Sequence, residues 1–123
     1  MSEVERTVDV LVVDDSEDQR TILRRYFERA GCRVAVASTA DEAIAAYRRL
    51  PPHLAVVDLV LPGMDGWELA AQLRADNPDC AIAITSVLDE VDFPEYDAVL
   101  PKPVTGEHVR QVLRDHVPHW RES

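Results

Sequence analysis

The feature that most constrains this chain is a rhythm: short runs of β-branched and small apolar residues, each followed by an amphipathic stretch with helical spacing. Residues 8–13 form one such run, and it stops at Asp14. Ser16 then opens a helix, with Gln19 three positions on as in a capping box. Ile22, Leu23, Tyr26, Phe27 and Ala30 share one face of that helix, and Gly31 supplies a C-terminal stop. The unit repeats. Residues 33–37 are strand-like, and Thr39 with Glu42 makes a second capping box ahead of Ala40, Ala43, Ile44, Tyr47 and Leu50, with Pro51 and Pro52 ending the helix. Residues 54–57 give a third strand that closes at Asp58. Residues 66–75 fit a helix with Leu69, Ala70 and Leu73 inward; residues 80–85 give a fourth strand and residues 98–100 a short fifth. Thr105 caps a last helix whose Val109, Val112, Leu113, His116 and Val117 line one face.

Strands alternating with helices imply parallel βαβ units. The strands read as continuous apolar runs, which is the pattern of a sheet covered on both faces. The 123 residues supply one α/β domain, expected over residues 7–118 with residues 1–6 and 119–123 as terminal tails. No apolar run approaches the roughly 20 residues that span a bilayer. The N-terminus carries Glu3 and Glu5 and lacks an apolar signal core, so a cytoplasmic location is expected. The formal net charge of −10 argues against nucleic acid or an anionic membrane as partners. Cys32 and Cys80 stand far apart with no metal-ligand spacing and are expected as buried free thiols.

One stretch departs from the rhythm. Residues 86–101 must hold two loops as well as any helix; Pro94 lies in the middle, and Asp89, Glu90, Asp92, Glu95 and Asp97 repel one another. A helix averages about 11–12 residues before its loops are added. The helix between the fourth and fifth strands is therefore expected to be shortened or missing, leaving an acidic loop.

In open α/β sheets, ligands bind beyond the carboxyl ends of the strands, where strand order reverses. Asp14 and Asp15 follow the first strand, Asp58 ends the third, Thr85 ends the fourth and Lys102 follows the fifth, so a parallel sheet brings all five to one edge. A single aspartate at a strand end is more often a turn or a cap than a ligand. Five such residues together point to one site. Three carboxylates repel one another, and a hard cation with oxygen ligands relieves the repulsion; Mg2+ suits one or two carboxylates plus waters and a phosphoryl oxygen.

The segments Val12-Val13-Asp14-Asp15-Ser16, Val56-Val57-Asp58-Leu59-Val60-Leu61-Pro62-Gly63-Met64-Asp65-Gly66, Ile84-Thr85-Ser86 and Leu100-Pro101-Lys102-Pro103 resemble the receiver domain of two-component response regulators over nearly the whole chain. The resemblance implies a doubly wound, flavodoxin-like sheet of five parallel strands in the order 2-1-3-4-5. It implies that Asp58 takes a phosphoryl group from a phosphohistidine. Asp15, Asp58 and the main-chain carbonyl of Val60 would bind Mg2+, with Asp14 acting through a metal-bound water. Thr85 would hydrogen-bond a phosphoryl oxygen, Lys102 would pair with Asp58 and then with the phosphoryl group, and the bond before Pro103 would be cis. The partners implied are a sensor histidine kinase or histidine phosphotransfer protein and a downstream protein target. The protein would modify itself rather than turn over an outside substrate.

Three positions differ from the family's pattern. The fourth-helix region is short, as above. Val99 stands where the family has a switching aromatic, with Tyr96 nearby but out of register. Val60 and Val87, two residues past Asp58 and Thr85, are both apolar where the family flanks the path of an attacking water. Arg20, Arg24, Arg25 and Arg29 lie on the first helix, on which the family's kinases dock; a solvated face paired with Glu17 and Glu28 is the alternative. Three other functions fit parts of this pattern. A flavin module would need a phosphate-cradling loop where Asp14-Asp15-Ser16-Glu17-Asp18 is acidic. A Mg2+-dependent phosphohydrolase commonly has a second aspartate where Val60 stands. A pseudo-receiver, acting only as a binding module, would have lost some of the acidic residues or the lysine.

Overall fold

The computed structural model describes residues 7–59, 66–86 and 96–121. Five strands, β1 (Asp9–Val13), β2 (Arg33–Ala37), β3 (Leu54–Asp58), β4 (Ala81–Ser86) and β5 (Ala98–Pro101), form one sheet in the order β2-β1-β3-β4-β5, every neighbouring pair parallel. Four helices are described: α1 (Glu17–Arg29), α2 (Ala40–Arg49), α3 (Gly66–Asp76) and α4 (Gly106–His116). The expected doubly wound order is the one observed. Side chains alternate across the sheet, so β1 sends Val10 and Val12 to the core beneath α1 and α4, and Leu11 and Val13 to the core beneath α2 and α3. No helix among the described residues is long and apolar enough to cross a membrane.

Burial on both faces holds for the central strands and fails at the edges. β1 and β3 are buried throughout, whereas Arg33, Ala35 and Val36 of β2 and Val99 of β5 are exposed. Edge strands lack a neighbour on one side, so the same apolar composition meets solvent there. Two residues expected on inward helix faces also point out. Ile22 is 43% exposed because α1 meets the sheet through Leu23 and Phe27, one turn apart, and its neighbour falls to the side of that stripe. Leu50 is 52% exposed because it is the C-cap of α2, with φ −143° and ψ 98°, and its side chain no longer follows the helical face.

The caps explain where the helices begin. Ser16 and Thr39 accept from the backbone N–H of Gln19 and Glu42. The Glu42 carboxylate does not return to Thr39; it accepts from the Ser38 N–H and hydroxyl at 2.7 and 2.8 Å. The complete capping box is at α4, where the His108 side chain accepts from the Thr105 N–H. Gly31 ends α1 with φ +91°, a conformation that L side chains rarely adopt. Cys32 and Cys80 are free and buried, and burial pushes both thiols up to about 12, which leaves them unreactive at neutral pH.

The expected acidic loop between β4 and β5 falls mainly on residues 87–95, which lie outside the described residues. Asp97, counted with that loop, is exposed yet fixed: its N–H donates to the Ile82 carbonyl at 2.7 Å, and its carboxylate accepts from the Ile82 N–H at 2.8 Å and from Arg74 at 2.7 Å.

At the C-terminus, residues 119–123 were expected as a tail. The fold continues through Trp120, which is 8% exposed and donates from its indole to the Ala30 carbonyl at 2.8 Å, while the His119 ring lies 4.5 Å from that of His53. An indole carries enough apolar area to fix a terminal segment once it finds a partner for its N–H. Trp120→Ala is expected to lower stability by about 3 kcal/mol in chemical denaturation, the low end for removing a buried aromatic, because a terminal segment can collapse into part of the space. A loss below ~1 kcal/mol would mean that the domain ends at residue 118 after all.

Candidate functional site

Parallel pairing puts the C-terminal ends of β1, β3 and β4 side by side, with Val13 opposite Val57 and Asp58 opposite Thr85. Asp14, Asp58 and Thr85 are buried there, and Asp15 is exposed at the rim. Oxygens of Asp14, Asp15 and Asp58 all lie within 4.8 Å of one another. Lys102, in the turn after β5, brings its Nζ to 3.7 Å from Asp14 Oδ2 and 3.7 Å from Asp58 Oδ2. All five residues selected from the sequence thus meet at one edge. The Lys102–Pro103 peptide bond is cis.

The polar groups at this edge are incompletely satisfied. Asp14 Oδ1 accepts from the Ser16 N–H at 2.9 Å, but Asp14 Oδ2 and Thr85 Oγ1 are buried with no hydrogen-bond partner among the described residues. Native proteins rarely leave such atoms unpaired without a functional reason. Burial raises the Asp14 pKa above the ordinary carboxylate value; the Ser16 N–H opposes this, Asp58 adds to it, Lys102 opposes it and Asp15 adds to it. The donor set is all oxygen, it gathers three carboxylates, and one buried carboxylate oxygen has no hydrogen bond among the described residues. Those properties fit a hard divalent cation. Val60, whose carbonyl was expected to join the set, and Val87 lie outside the described residues.

A feature of the site that was not read from the sequence is the contact made by Gly66. Its N–H donates to the Leu59 carbonyl at 2.9 Å, and a Cβ at this position would lie 2.3 Å from the Asp58 carbonyl oxygen. The start of α3 therefore rests directly on the backbone of Asp58. Glycine at a helix start has several local explanations, and only the tertiary contact selects this one. Val99, at the position the family gives to a switching aromatic, is 41% exposed on β5. Tyr96 instead lies against Trp67 of α3, with ring centroids 6.4 Å apart.

A family model described as the response regulator receiver domain matches residues 10–114. The chain belongs to this family. Among curated relatives of the receiver, the transcriptional regulatory protein AfsQ1 of Streptomyces coelicolor is 32% identical over 114 residues, covering 85% of this chain and 51% of that protein. The alkaline phosphatase synthesis transcriptional regulatory protein PhoP of Bacillus subtilis is 38% identical over 91 residues, covering 74% of this chain and 36% of that protein. The receiver thus spans about half the length of AfsQ1 (51%) and less of PhoP (36%). A response regulator receiver domain protein (CheY-like) from Methanospirillum hungatei JF-1 superposes with a TM-score of 0.84 at 22% identity, covering 93% of this chain and 96% of that one. Similarity at that identity establishes the shared fold.

The raised Asp14 pKa sets the sign of a stability effect in the metal-free receiver. Between 3.8 and the raised value, the native state holds a proton that the unfolded chain has released, so stability falls as pH rises through that window. The fold thus disfavours the charged form of Asp14. Asp14→Asn keeps the acceptor for Ser16 and removes the charge. It is expected to raise Tm at pH 7 without divalent metal and to reduce the stabilisation gained on adding Mg2+. A lower Tm for Asp14→Asn in chelator would contradict this account.

Proposed function

We propose that this receiver accepts a phosphoryl group on Asp58 from the phosphohistidine of a sensor histidine kinase or a histidine phosphotransfer protein. Mg2+ at Asp14, Asp15 and Asp58 assists, and the signal passes to a downstream protein. The observation that carries this reading is the meeting of three carboxylates with Lys102 Nζ, 3.7 Å from both Asp14 Oδ2 and Asp58 Oδ2, at the carboxyl edge of the sheet.

In this reading an Asp58 carboxylate oxygen attacks phosphorus. The P–N bond breaks, and its electron pair returns to the donor's imidazole. Phosphoryl transfer of this kind depends on in-line positioning and on neutralising charge at the equatorial oxygens more than on proton transfer. Mg2+, when bound, supplies divalent positive charge beside those oxygens. The chain's own residues supply the rest. Lys102 stands beyond hydrogen-bond length from both aspartates, held by charge and able to follow a new phosphoryl oxygen. Thr85, in register with Asp58, has a buried hydroxyl without a partner among the described residues and can donate to the same group. The Gly66 contact holds the Asp58 backbone while its side chain reacts.

Incubation with acetyl phosphate and Mg2+, read by intact mass spectrometry, is expected to add one phosphoryl group to the native protein. None should be added to Asp58→Ala or in the presence of a chelator. Lys102→Met is expected to slow the reaction by on the order of 10²-fold, the scale for removing one preorganised charge-stabilising group. Phosphorylation of Asp58→Ala at native stoichiometry would overturn the assignment.

Val60 and Val87 have no donor or acceptor to orient a water for hydrolysis of the aspartyl phosphate, so the phosphorylated form is expected to be long-lived. Val60→Asn and Val87→Glu should each shorten its half-life when acetyl phosphate is removed. An unchanged decay rate in both variants would exclude these positions as determinants.

A further inference from the structure

We infer that Arg20 is a positioning residue for the acidic site, holding the Asp14–Asp15 peptide through its carbonyl oxygen. This rests on the phosphoacceptor reading above. Arg20 lies in the first turns of α1 and is half-buried, and its Nη1 donates to the Asp14 backbone carbonyl at 2.8 Å. The Asp14 N–H donates to the Ala37 carbonyl at the end of β2 at 3.1 Å, and Asp14 Oδ1 accepts from the Ser16 N–H at 2.9 Å. Three bonds therefore define the turn that presents Asp14 and Asp15. The one to the carbonyl, which sets the plane of the peptide leading into Asp15, comes from a charged side chain, and charge-assisted bonds are the stronger kind.

Arg20 is set apart from the other arginines of α1. Arg24 pairs with Glu28 at 3.1 Å on the surface, and Arg25 and Arg29 are exposed. Such pairs contribute little. The guanidinium of Arg20 also lies within electrostatic reach of Glu42 in the first turn of α2, whose carboxyl is held below the ordinary carboxylate value mainly by Ser38 and in small part by Arg20. The residue thus joins the start of α1, the end of β1 and the start of α2 around the backbone of the site.

The positioning role can be separated from a purely electrostatic one because the two predict opposite signs. A fixed positive charge near three carboxylates competes with a divalent cation, so by charge alone its removal tightens cation binding. If Arg20 holds the peptide that aims Asp15, its removal lets that peptide sample other orientations, and cation binding weakens.

The test is calorimetric titration of the full chain with MgCl2, together with amide hydrogen exchange without metal, for the native protein, Arg20→Ala and Arg20→Lys. Arg20→Ala is expected to bind Mg2+ about tenfold more weakly and to exchange the Ser16 amide faster. Arg20→Lys, which keeps a charged donor, should recover most of both. Mg2+ binding by Arg20→Ala as tight as native or tighter, or a native exchange rate at Ser16, overturns the inference. If the native protein binds no Mg2+, the phosphoacceptor reading fails instead, and the exchange comparison still decides whether Arg20 holds the turn.

Discussion

Burial of like charge at one edge of a parallel sheet is the constraint around which this structure is arranged. Asp14 directly follows β1 and Asp58 ends the adjacent β3, both buried, with Asp15 beside them at the rim. A pair of carboxylates in that setting is held only by a surrounding structure stable enough to oppose their repulsion. The two cores, one beneath α1 and α4 and the other beneath α2 and α3, clamp β1 and β3 from both sides. Lys102, delivered by β5, offsets part of the charge without closing a hydrogen bond to either aspartate.

The opposite end of β1 shows how a buried carboxylate is treated when it has a structural role. Asp9 is also buried, but Arg33 grips both its oxygens at 2.8 and 3.1 Å. A bidentate guanidinium satisfies a carboxylate in geometry and in charge. Asp14, at the far end of the same strand, keeps one oxygen without a hydrogen bond among the described residues. β1 thus opens on a fully hydrogen-bonded aspartate and is followed by one with an oxygen that lacks a hydrogen bond among the described residues. The incomplete pairing marks the end whose all-oxygen donor set fits a cation.

The supports of the site come from three different elements, and each acts on the backbone of a site aspartate. Gly66 seats the start of α3 on the Asp58 carbonyl, Arg20 holds the Asp14 carbonyl, and Ala37 accepts from the Asp14 N–H. Backbone contacts hold the frame without engaging the carboxylates themselves.

Much of the fold was legible in the sequence because the signals involved are local. Continuous apolar runs marked the five strands and a 3.6-residue period the four described helices, and the caps at Ser16, Thr39 and Thr105 are made within a few residues of themselves. Asp14, Asp15, Asp58, Thr85 and Lys102 could be grouped because parallel topology carries every strand end to the same edge. What the pattern could not supply was the choice among equivalent local options. Ile22 and Leu23 are equally apolar neighbours, and only the docking of α1 on the sheet buries the second and exposes the first. Trp120 lay beyond the last periodic residue, and its burial depends on the Ala30 carbonyl, a partner from the far end of α1. Arg20 reads like the other arginines of its helix until the turn after β1 brings the Asp14 carbonyl within reach. The sequence by itself determined which segments become strands and helices and which residues gather at the site. The tertiary structure alone decided which side chains hold that site in place, because such contacts depend on distances between segments that local periodicity does not encode.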